Sequence, residues 1–201
     1  MTCNPRWKEI DDALEFLKNF GMLTTKELVH YRGEIICRVF NMKLKQLMAG
    51  IKSGDEFGPY LYGTYVVEFQ KRGLPHAHIL LGLVNPVKYP DQIDGFVSAE
   101  MPDPVTQPQL YSIISSQNLH RCDNRCLEKG KCSKNFPKPF VEATQLDDNG
   151  FPHYRRRCTN PQNAILVPYC PSLSLRFNCH INVEICTSIK SVKYLYKYIH
   201  K

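Results

Sequence analysis

Two histidines one residue apart in an apolar run place the strongest constraint on this chain. His76 and His78 lie in the run 74–81, whose composition is typical of a buried β-strand. Because alternate side chains of a strand share a face, both imidazoles point to the same side, close enough to bind one divalent cation. The sequence therefore predicts a metal-binding strand.

A second strand-like run at 65–70 precedes the histidines and is joined to them by a short Gly-containing segment, which favours a β-hairpin. If Gln70 lies opposite His76, then Glu68 lies opposite His78, and all four side chains share one face. Imidazole nitrogens with carboxylate or amide oxygens suit Mg or Mn. We therefore expect a site for one such ion on the hairpin.

Tyrosines near the end of the chain suggest the chemistry that such an ion would serve. Residues 188–201 contain neither Gly nor Pro, which favours a helix. Tyr194 and Tyr198 share one face of that helix, whereas Tyr196 points away and is assigned to packing. A tyrosine oxygen can attack a phosphodiester and leave a covalent 5'-phosphotyrosine and a free 3'-hydroxyl. Lys197 is a candidate to neutralise a phosphate and favour the phenolate.

Seven segments, in the same order along the chain, resemble the replication-initiator domain of Helitron rolling-circle transposases, often called the Helitron helicase-like domain. They are TCNPRW at 2–7, EFQKRGLPHAHILL at 68–81, AEMPDPVTQP at 99–108, GKCSKNFPKPF at 130–140, HYRRR at 153–157, HINVE at 180–184 and VKYLYKYIHK at 192–201. The resemblance spans nearly the whole chain, and the motif at 68–81 is highly specific.

The resemblance implies an endonuclease of the histidine-hydrophobic-histidine (HUH) class, in which a histidine pair holds the metal and one or two tyrosines nick single-stranded DNA. Carried over by position, His76 and His78 are the metal ligands, and Tyr194 and Tyr198 are the nucleophiles.

The third metal ligand stays open between two residues. In related viral initiators it is an acidic residue on the strand before the histidines. The closest match here is Gln70, and Glu68 is the alternative. A neutral amide binds Mg or Mn more weakly than a carboxylate does.

The pattern of elements indicates an α+β fold with an antiparallel central sheet and helices on one side. The resemblance implies the ferredoxin-like palm of HUH nucleases. We expect a single domain over 1–201, in four blocks. These are a first-strand remnant plus helices broken near Gly21 (1–52), a metal hairpin (60–84), a Cys-rich basic insertion (120–168), and a strand followed by the tyrosine helix (177–201). Between them we expect short helices near 93–99 and 110–119 and a hairpin turn at 147–150. Residues 179–185 alternate in polarity as a strand does.

Three of the nine cysteines lie in a polar, Lys-rich loop that lacks an apolar core of its own. Cys122, Cys126 and Cys132, with His120 as a fourth ligand, are candidates for a structural zinc site that would fold the insertion. The alternative is that these thiols are ordinary small side chains.

Charge and targeting features bear on partners and location. Lys and Arg total 26 against 19 Asp and Glu, a net charge of +7 that suits a polyanion. The candidate DNA contacts are Lys71, Arg72, Lys193, Arg155, Arg156 and Arg157. No secretory signal, membrane span or P-loop motif is visible. We expect an intracellular, nuclear protein whose strand separation depends on a superfamily 1 helicase domain, which in relatives follows in the same polypeptide.

The function expected from these observations is that of a metal-dependent single-stranded DNA endonuclease and strand transferase of a Helitron-type rolling-circle transposon. The alternative is a catalytically inactive fragment that acts only as a DNA-binding or zinc-stabilised interaction module.

Overall fold

A 29-residue helix and a β-hairpin build the first of the two units into which this computed structural model divides the chain. The structure describes residues 1–21, 24–70, 73–123, 126–128, 130–148 and 150–186. The first unit comprises residues 1–85 and 177–179, and the second comprises residues 86–176 and the chain from 180 onward. The assignment of one domain to 1–201 stays a prediction.

Two helices of the first unit confirm the break predicted near Gly21. Helix α1 spans Lys8–Asn19 and helix α2 spans Thr25–Ser53. Thr24 and Glu27 form a reciprocal capping box at the start of α2, and α2 ends at Gly54, whose φ of 88° is in the left-handed region. Helix α2 packs against α1 and against both strands of the hairpin. Its buried side chains are those of Ile36, Val39, Phe40, Leu44, Leu47, Met48 and Ile51.

The hairpin pairs β1 (Tyr60–Phe69) with β2 (Pro75–Leu83) in antiparallel register. The register shifts between Tyr60 and Tyr62, and the Tyr62 ring lies over Gly82, where a Cβ atom would collide with it. On its other side, β2 accepts residues 1–3. Cys3 N donates to Pro75 O at 3.0 Å and Ala77 N donates to Met1 O at 2.8 Å. The histidine strand is therefore paired on both sides.

The second unit is assembled from short elements. They are α3 (Pro90–Phe96), α4 (Pro108–Gln117), β3 (Leu127–Glu128), β4 (Lys131–Cys132), β5 (Gln145–Leu146), β6 (Pro152–His153) and a 3₁₀ turn at Pro161–Ile165; α5 (Pro171–Phe177) follows in the chain. The two predicted short helices are present as α3 and α4. Between β5 and β6, where a turn was predicted, Gly150 N donates to Asp147 O at 2.8 Å and Asp147 N donates to Phe151 O at 3.0 Å.

Among its described residues, the second unit has two small apolar clusters in its interior. One contains Leu110, Ile113, Ile114, Leu166 and Tyr169. The other contains Ile93, Val97, Ala99 and Tyr154, with Val183 and Ile185 packed against it. Each short element contributes only a few side chains to these clusters, so the unit has little regular packing surface.

The strand predicted at 179–185 is wrong as secondary structure, although its burial alternates as expected. Ile181 is buried and its neighbour Asn182 is exposed. The backbone here bonds to side chains and loops instead of a ladder: Ile185 N donates to the Tyr154 hydroxyl at 2.9 Å, and Val183 N donates to Pro168 O at 3.3 Å. The alternation of apolar and polar residues at 179–185 therefore indicates that one side of the segment is buried, and it does not indicate strand pairing.

The α+β class is confirmed. Within the described residues there are five α-helices and three separate two-stranded antiparallel sheets. The ferredoxin-like palm with one central sheet stays a prediction. In the same part of the chain, no helix combines the length and apolar character needed to cross a membrane.

Candidate metal centres

The two histidines of β2 lie side by side on one face of the hairpin. Their ring centroids are 4.5 Å apart, with the ring planes at 63°, and both side chains are half-buried. Ala77 between them points to the opposite face and is buried. The two-residue strand repeat therefore presents both imidazoles together, as the sequence predicted.

The register of the hairpin differs by two residues from the one expected from the sequence. Glu68, and not Gln70, lies opposite His76, and Val66 lies opposite His78. The turn is tighter than assumed, because Gln70 N already donates to Leu74 O at 2.9 Å. A shift of two residues preserves parity, so Glu68 still shares the histidine face.

Glu68 and Thr2 contact the histidine pair. Glu68 Oε1 lies 3.0 Å from His78 Nε2, and Thr2 Oγ1 is hydrogen-bonded to His76 Nδ1 at 2.7 Å. Gln70 is exposed at the base of the turn. Thr2 was not among the predicted site residues; the signal for it was its place in the segment expected to be a strand remnant. The metal-ligand roles of His76, His78, Gln70 and Glu68 stay predictions.

A second group of potential ligands lies in the second unit. His120 Nε2 lies 3.2 Å from Cys122 Sγ, 3.8 Å from Cys126 Sγ and 3.3 Å from Cys132 Sγ. All four ligand atoms lie within 4.8 Å of one another, the one such group of His, Cys, Asp or Glu side chains in the described part of the chain. This cluster, the four residues predicted from sequence, could hold a metal such as zinc.

Short-range backbone bonds position the members of this His/Cys cluster. Cys126 N donates to Asp123 O at 3.0 Å in a turn, and Cys132 lies in β4, where it pairs with Leu127 of β3. The His120 ring stacks on Phe136, with 4.3 Å between centroids and 18° between planes. Cys126, Cys132 and the His120 ring are therefore each held in place by a separate local contact.

Electrostatics favour the metal-binding forms of two cluster residues. Partial burial and the charge of Lys134 lower the pKa of His120, which keeps the imidazole neutral. Burial opposes ionisation of Cys132, but hydrogen bonds from the backbone N–H groups of Phe136 and Lys134 outweigh it and lower the thiol pKa.

Cys122 behaves in the opposite way without a cation. Desolvation of its sulfur, followed by hydrogen bonds with the neighbouring thiols of Cys132 and Cys126, raises its pKa to about 11. The cluster therefore gives up the thiol proton of Cys132 more readily than that of Cys122. Binding of a divalent cation would release those protons, because the thiolate is the form that binds metal.

The three consecutive arginines predicted to contact DNA have different environments. Arg156 is only 4% exposed, and its Nη1 donates to the carbonyls of Asn163 and Leu166. Burial lowers the pKa of Arg156 to about 10, so it stays charged at neutral pH. Its guanidinium faces the interior and is not presented to a phosphate. Strand-like alternation in the run of three arginines was the signal that the middle one could face inward.

Glu100 holds the two outer arginines. Arg157 Nε and Nη2 donate to the Glu100 carboxylate at 2.8 and 2.7 Å, and Arg155 Nε lies 3.3 Å from it. Arg155 and Arg157 keep about half of their side-chain surface exposed, with fractions of 42% and 49%. Their roles in DNA binding stay predictions. The remaining predicted site residues lie outside the described residues: Lys71, Arg72, Lys193, Tyr194, Lys197 and Tyr198.

Residues 1–81 match the family described as the Helitron helicase-like domain at the N-terminus. This segment holds α1, α2, β1 and most of β2, with Glu68 and both histidines. This segment is therefore similar to the Helitron helicase-like N-terminal domain, as the resemblance predicted, and the match suggests a Helitron-related role. Among curated proteins, none matches the chain.

Proposed function

We propose that this chain is a metal-dependent single-stranded DNA endonuclease and strand transferase of the Helitron type. One observation carries the proposal. His76 and His78 lie side by side on β2 with the Glu68 carboxylate 3.0 Å from His78, all within the segment that matches the Helitron family. A nuclear location and a helicase domain as partner are part of the same proposal.

The donor set on the hairpin fits a divalent cation. Two imidazole nitrogens and a carboxylate oxygen suit Mn²⁺, and Mg²⁺ is an alternative that prefers oxygen ligands. His76, His78 and Glu68 would hold the ion, and Gln70 is placed less well because it is exposed at the turn. When bound, the ion would polarise the scissile phosphate and stabilise negative charge on its oxygens.

Neighbouring residues prepare the histidine face for this task. The Thr2 hydroxyl fixes the orientation of the His76 ring through Nδ1, so Nε2 is the atom through which His76 would bind the ion. Packing of α2 against both strands stiffens the hairpin, with Ala77 buried between the two histidines. A site on paired strands holds its geometry better than one on a loop.

The predicted nucleophiles are Tyr194 and Tyr198. The hydroxyl oxygen of one tyrosine attacks the phosphorus and loses its proton, and the bond from phosphorus to the 3'-oxygen breaks. The 3'-oxygen leaves as a hydroxyl and the 5'-phosphate stays on the tyrosine. A second tyrosine permits a second transfer without water. Lys197 is proposed to stabilise the phenolate, and these three roles are supported by the sequence pattern.

A covalent adduct is the product that tests this proposal. The full chain is incubated with Mn²⁺ and a labelled single-stranded oligonucleotide library, and a denaturing gel is examined for labelled protein. We expect an adduct that is lost in His76→Ala and in the Tyr194→Phe/Tyr198→Phe double variant. Tyr196→Phe and His153→Ala are matched controls, because neither residue is assigned to the site, and both should retain the adduct.

An adduct that persists in the His76→Ala variant, or that is lost equally in the Tyr196→Phe control, would contradict the assignment. Absence of an adduct with intact binding of single-stranded DNA would favour the second candidate, a catalytically inactive DNA-binding or zinc-stabilised module. One observation supports this second candidate: the ligand atoms of four side chains lie close together, those of His120, Cys122, Cys126 and Cys132.

A further inference from the structure

The loop that carries the His/Cys cluster leaves and rejoins the second unit at adjacent points. At its start, His120 N donates to Ile165 O at 2.8 Å, and at its end Lys138 N donates to Ala164 O at 2.7 Å. These two hydrogen bonds anchor the ends of the loop. The residues between them must therefore be ordered by contacts within the loop.

The interior of this loop is not apolar. Among its described residues, 121–123, 126–128 and 130–137, the buried ones are Cys126 and Cys132. Leu127 is 43% exposed. The strands β3 and β4 have two residues each, too few for a stable hairpin by themselves. A loop of this length without a core needs a disulfide or a metal to order it.

We infer that His120, Cys122, Cys126 and Cys132 bind one structural zinc ion that closes this loop. Three sulfurs and one imidazole nitrogen are a complete tetrahedral ligand set for Zn²⁺, and a filled set leaves no position for substrate. The ion would join the anchored start of the loop, at His120, to the turn at Cys126 and to β4 at Cys132. This inference does not rest on the proposed nuclease activity.

The surroundings of the cluster complement such an ion. Zinc with three thiolates and a neutral imidazole has a net charge of −1, and the loop carries Lys131, Lys134 and Lys138. Backbone N–H groups of Lys134 and Phe136 are directed at Cys132 Sγ. Stacking on Phe136 fixes the His120 ring. Ligands with their own supporting contacts are the usual surroundings of a metal site.

Metal content of the full chain tests the inference. The protein is purified without added chelator, and zinc is measured by inductively coupled plasma mass spectrometry. We expect about one zinc per chain. Replacement by Co²⁺ should give the visible bands of tetrahedral cobalt together with a thiolate-to-cobalt charge-transfer band. An octahedral cobalt spectrum without that band would overturn the inference.

Matched variants locate the ion. Cys122→Ser removes an exposed ligand and should lower the zinc content to near zero, whereas Cys158→Ser removes an exposed cysteine outside the cluster and should leave it unchanged. His120→Ala should lose zinc, and His120→Cys should restore it because four ligands are again present.

The His76→Ala/His78→Ala double variant separates this site from the hairpin. It should retain one zinc per chain and the cobalt charge-transfer band, even if DNA nicking is lost. Zinc that disappears with the hairpin histidines but persists in Cys122→Ser would overturn the inference. So would a metal-free wild-type chain whose amide hydrogen exchange in residues 126–137 is as slow as that of α4.

Discussion

The two units of this protein reach their stability by different means. In the first, α2 packs on a hairpin of nine- and ten-residue strands, so backbone hydrogen bonds are satisfied within long regular elements. In the second, most elements are short, and polar side chains bind the backbone where ladders do not. Asn163 is fully buried, accepts from Met101 N at 2.8 Å and donates to Arg157 O at 2.9 Å.

This difference teaches where each candidate metal centre obtains its rigidity. The histidine pair lies on strands that are ordered by pairing and by packing on α2, so the hairpin does not need a cation to fold. The His/Cys cluster lies in a loop that lacks such support, so the loop would become ordered as the four ligands bind the ion. Metal at the histidine pair is proposed to take part in catalysis, and metal at the His/Cys cluster is proposed to stabilise the loop.

Apolar packing in the first unit should give the largest effect on stability. Leu44→Ala removes a buried side chain from α2 and should lower the free energy of unfolding by about 2–5 kcal/mol. Met42→Ala, at an exposed position of the same helix, should change it by about 0.5 kcal/mol or less. Urea unfolding followed by the fluorescence of buried Trp7, the single tryptophan, measures both. Equal losses in the two variants would contradict this account of the first unit.

Removal of a buried polar side chain from the second unit should give the second-largest loss of stability. Arg156→Met leaves the carbonyls of Asn163 and Leu166 without their donor and should cost about 2–4 kcal/mol. Arg155→Met, next to it, removes only half-exposed ion pairs and should cost about 1 kcal/mol or less. Hydrogen exchange of the core amides of α4 measures both changes. Unchanged protection in Arg156→Met would show that this buried guanidinium does not stabilise the unit.

The corrected register of the hairpin predicts which residue completes the cation site. Glu68→Ala should weaken binding of Mn²⁺ about tenfold or more, because it removes the carboxylate nearest His78. Gln70→Ala, at the turn, should weaken it about twofold or less. Electron paramagnetic resonance of free Mn²⁺ during titration measures both affinities independently of nicking. A greater loss in Gln70→Ala would favour the alignment first expected from the sequence.

The smallest expected effect concerns pH and Glu100. Burial opposes ionisation of this carboxyl, but hydrogen bonds and the charge of Arg157 outweigh it and lower its pKa below the ordinary value. Because the folded-state pKa is depressed, the stabilisation is complete above the unfolded-state pKa and is lost as the pH falls through the folded-state value. Glu100→Gln should therefore cost about 1 kcal/mol at pH 7, and the difference from wild type should shrink below about pH 4.

Exposed Glu128→Gln is the control for Glu100→Gln, and thermal unfolding across the pH range is the measurement. A difference from wild type that stays constant down to low pH would show that ionisation of Glu100 is not the cause.

Long periodic patterns predicted more of this fold than short ones did. Helices α1 and α2 and the hairpin follow from apolar spacing and from the glycines that end or turn the chain. The register was missed by two residues because a shift of two leaves every side chain on the same face. The strand at 179–185 was wrong because alternation reports which side is buried, not where the backbone hydrogen bonds go.

The other predictions depended on which residues the fold brings close together. The His/Cys cluster was predictable because a polar loop offers cysteines few other roles. Thr2 was not predicted, since its contact with His76 depends on pairing between residues that are 74 positions apart. The buried role of Arg156 was also missed, because the run of three arginines was interpreted as a charged surface.

The most direct test of the central claim is to identify the residue that carries DNA after nicking. The adduct formed with Mn²⁺ is digested with protease and nuclease, and tandem mass spectrometry locates the modified residue. The account predicts a nucleotide attached through its 5'-phosphate to Tyr194 or Tyr198, with no modified peptide from the His76→Ala variant. Modification of Tyr196 or of another residue instead, or an equal yield from the variant, would contradict it.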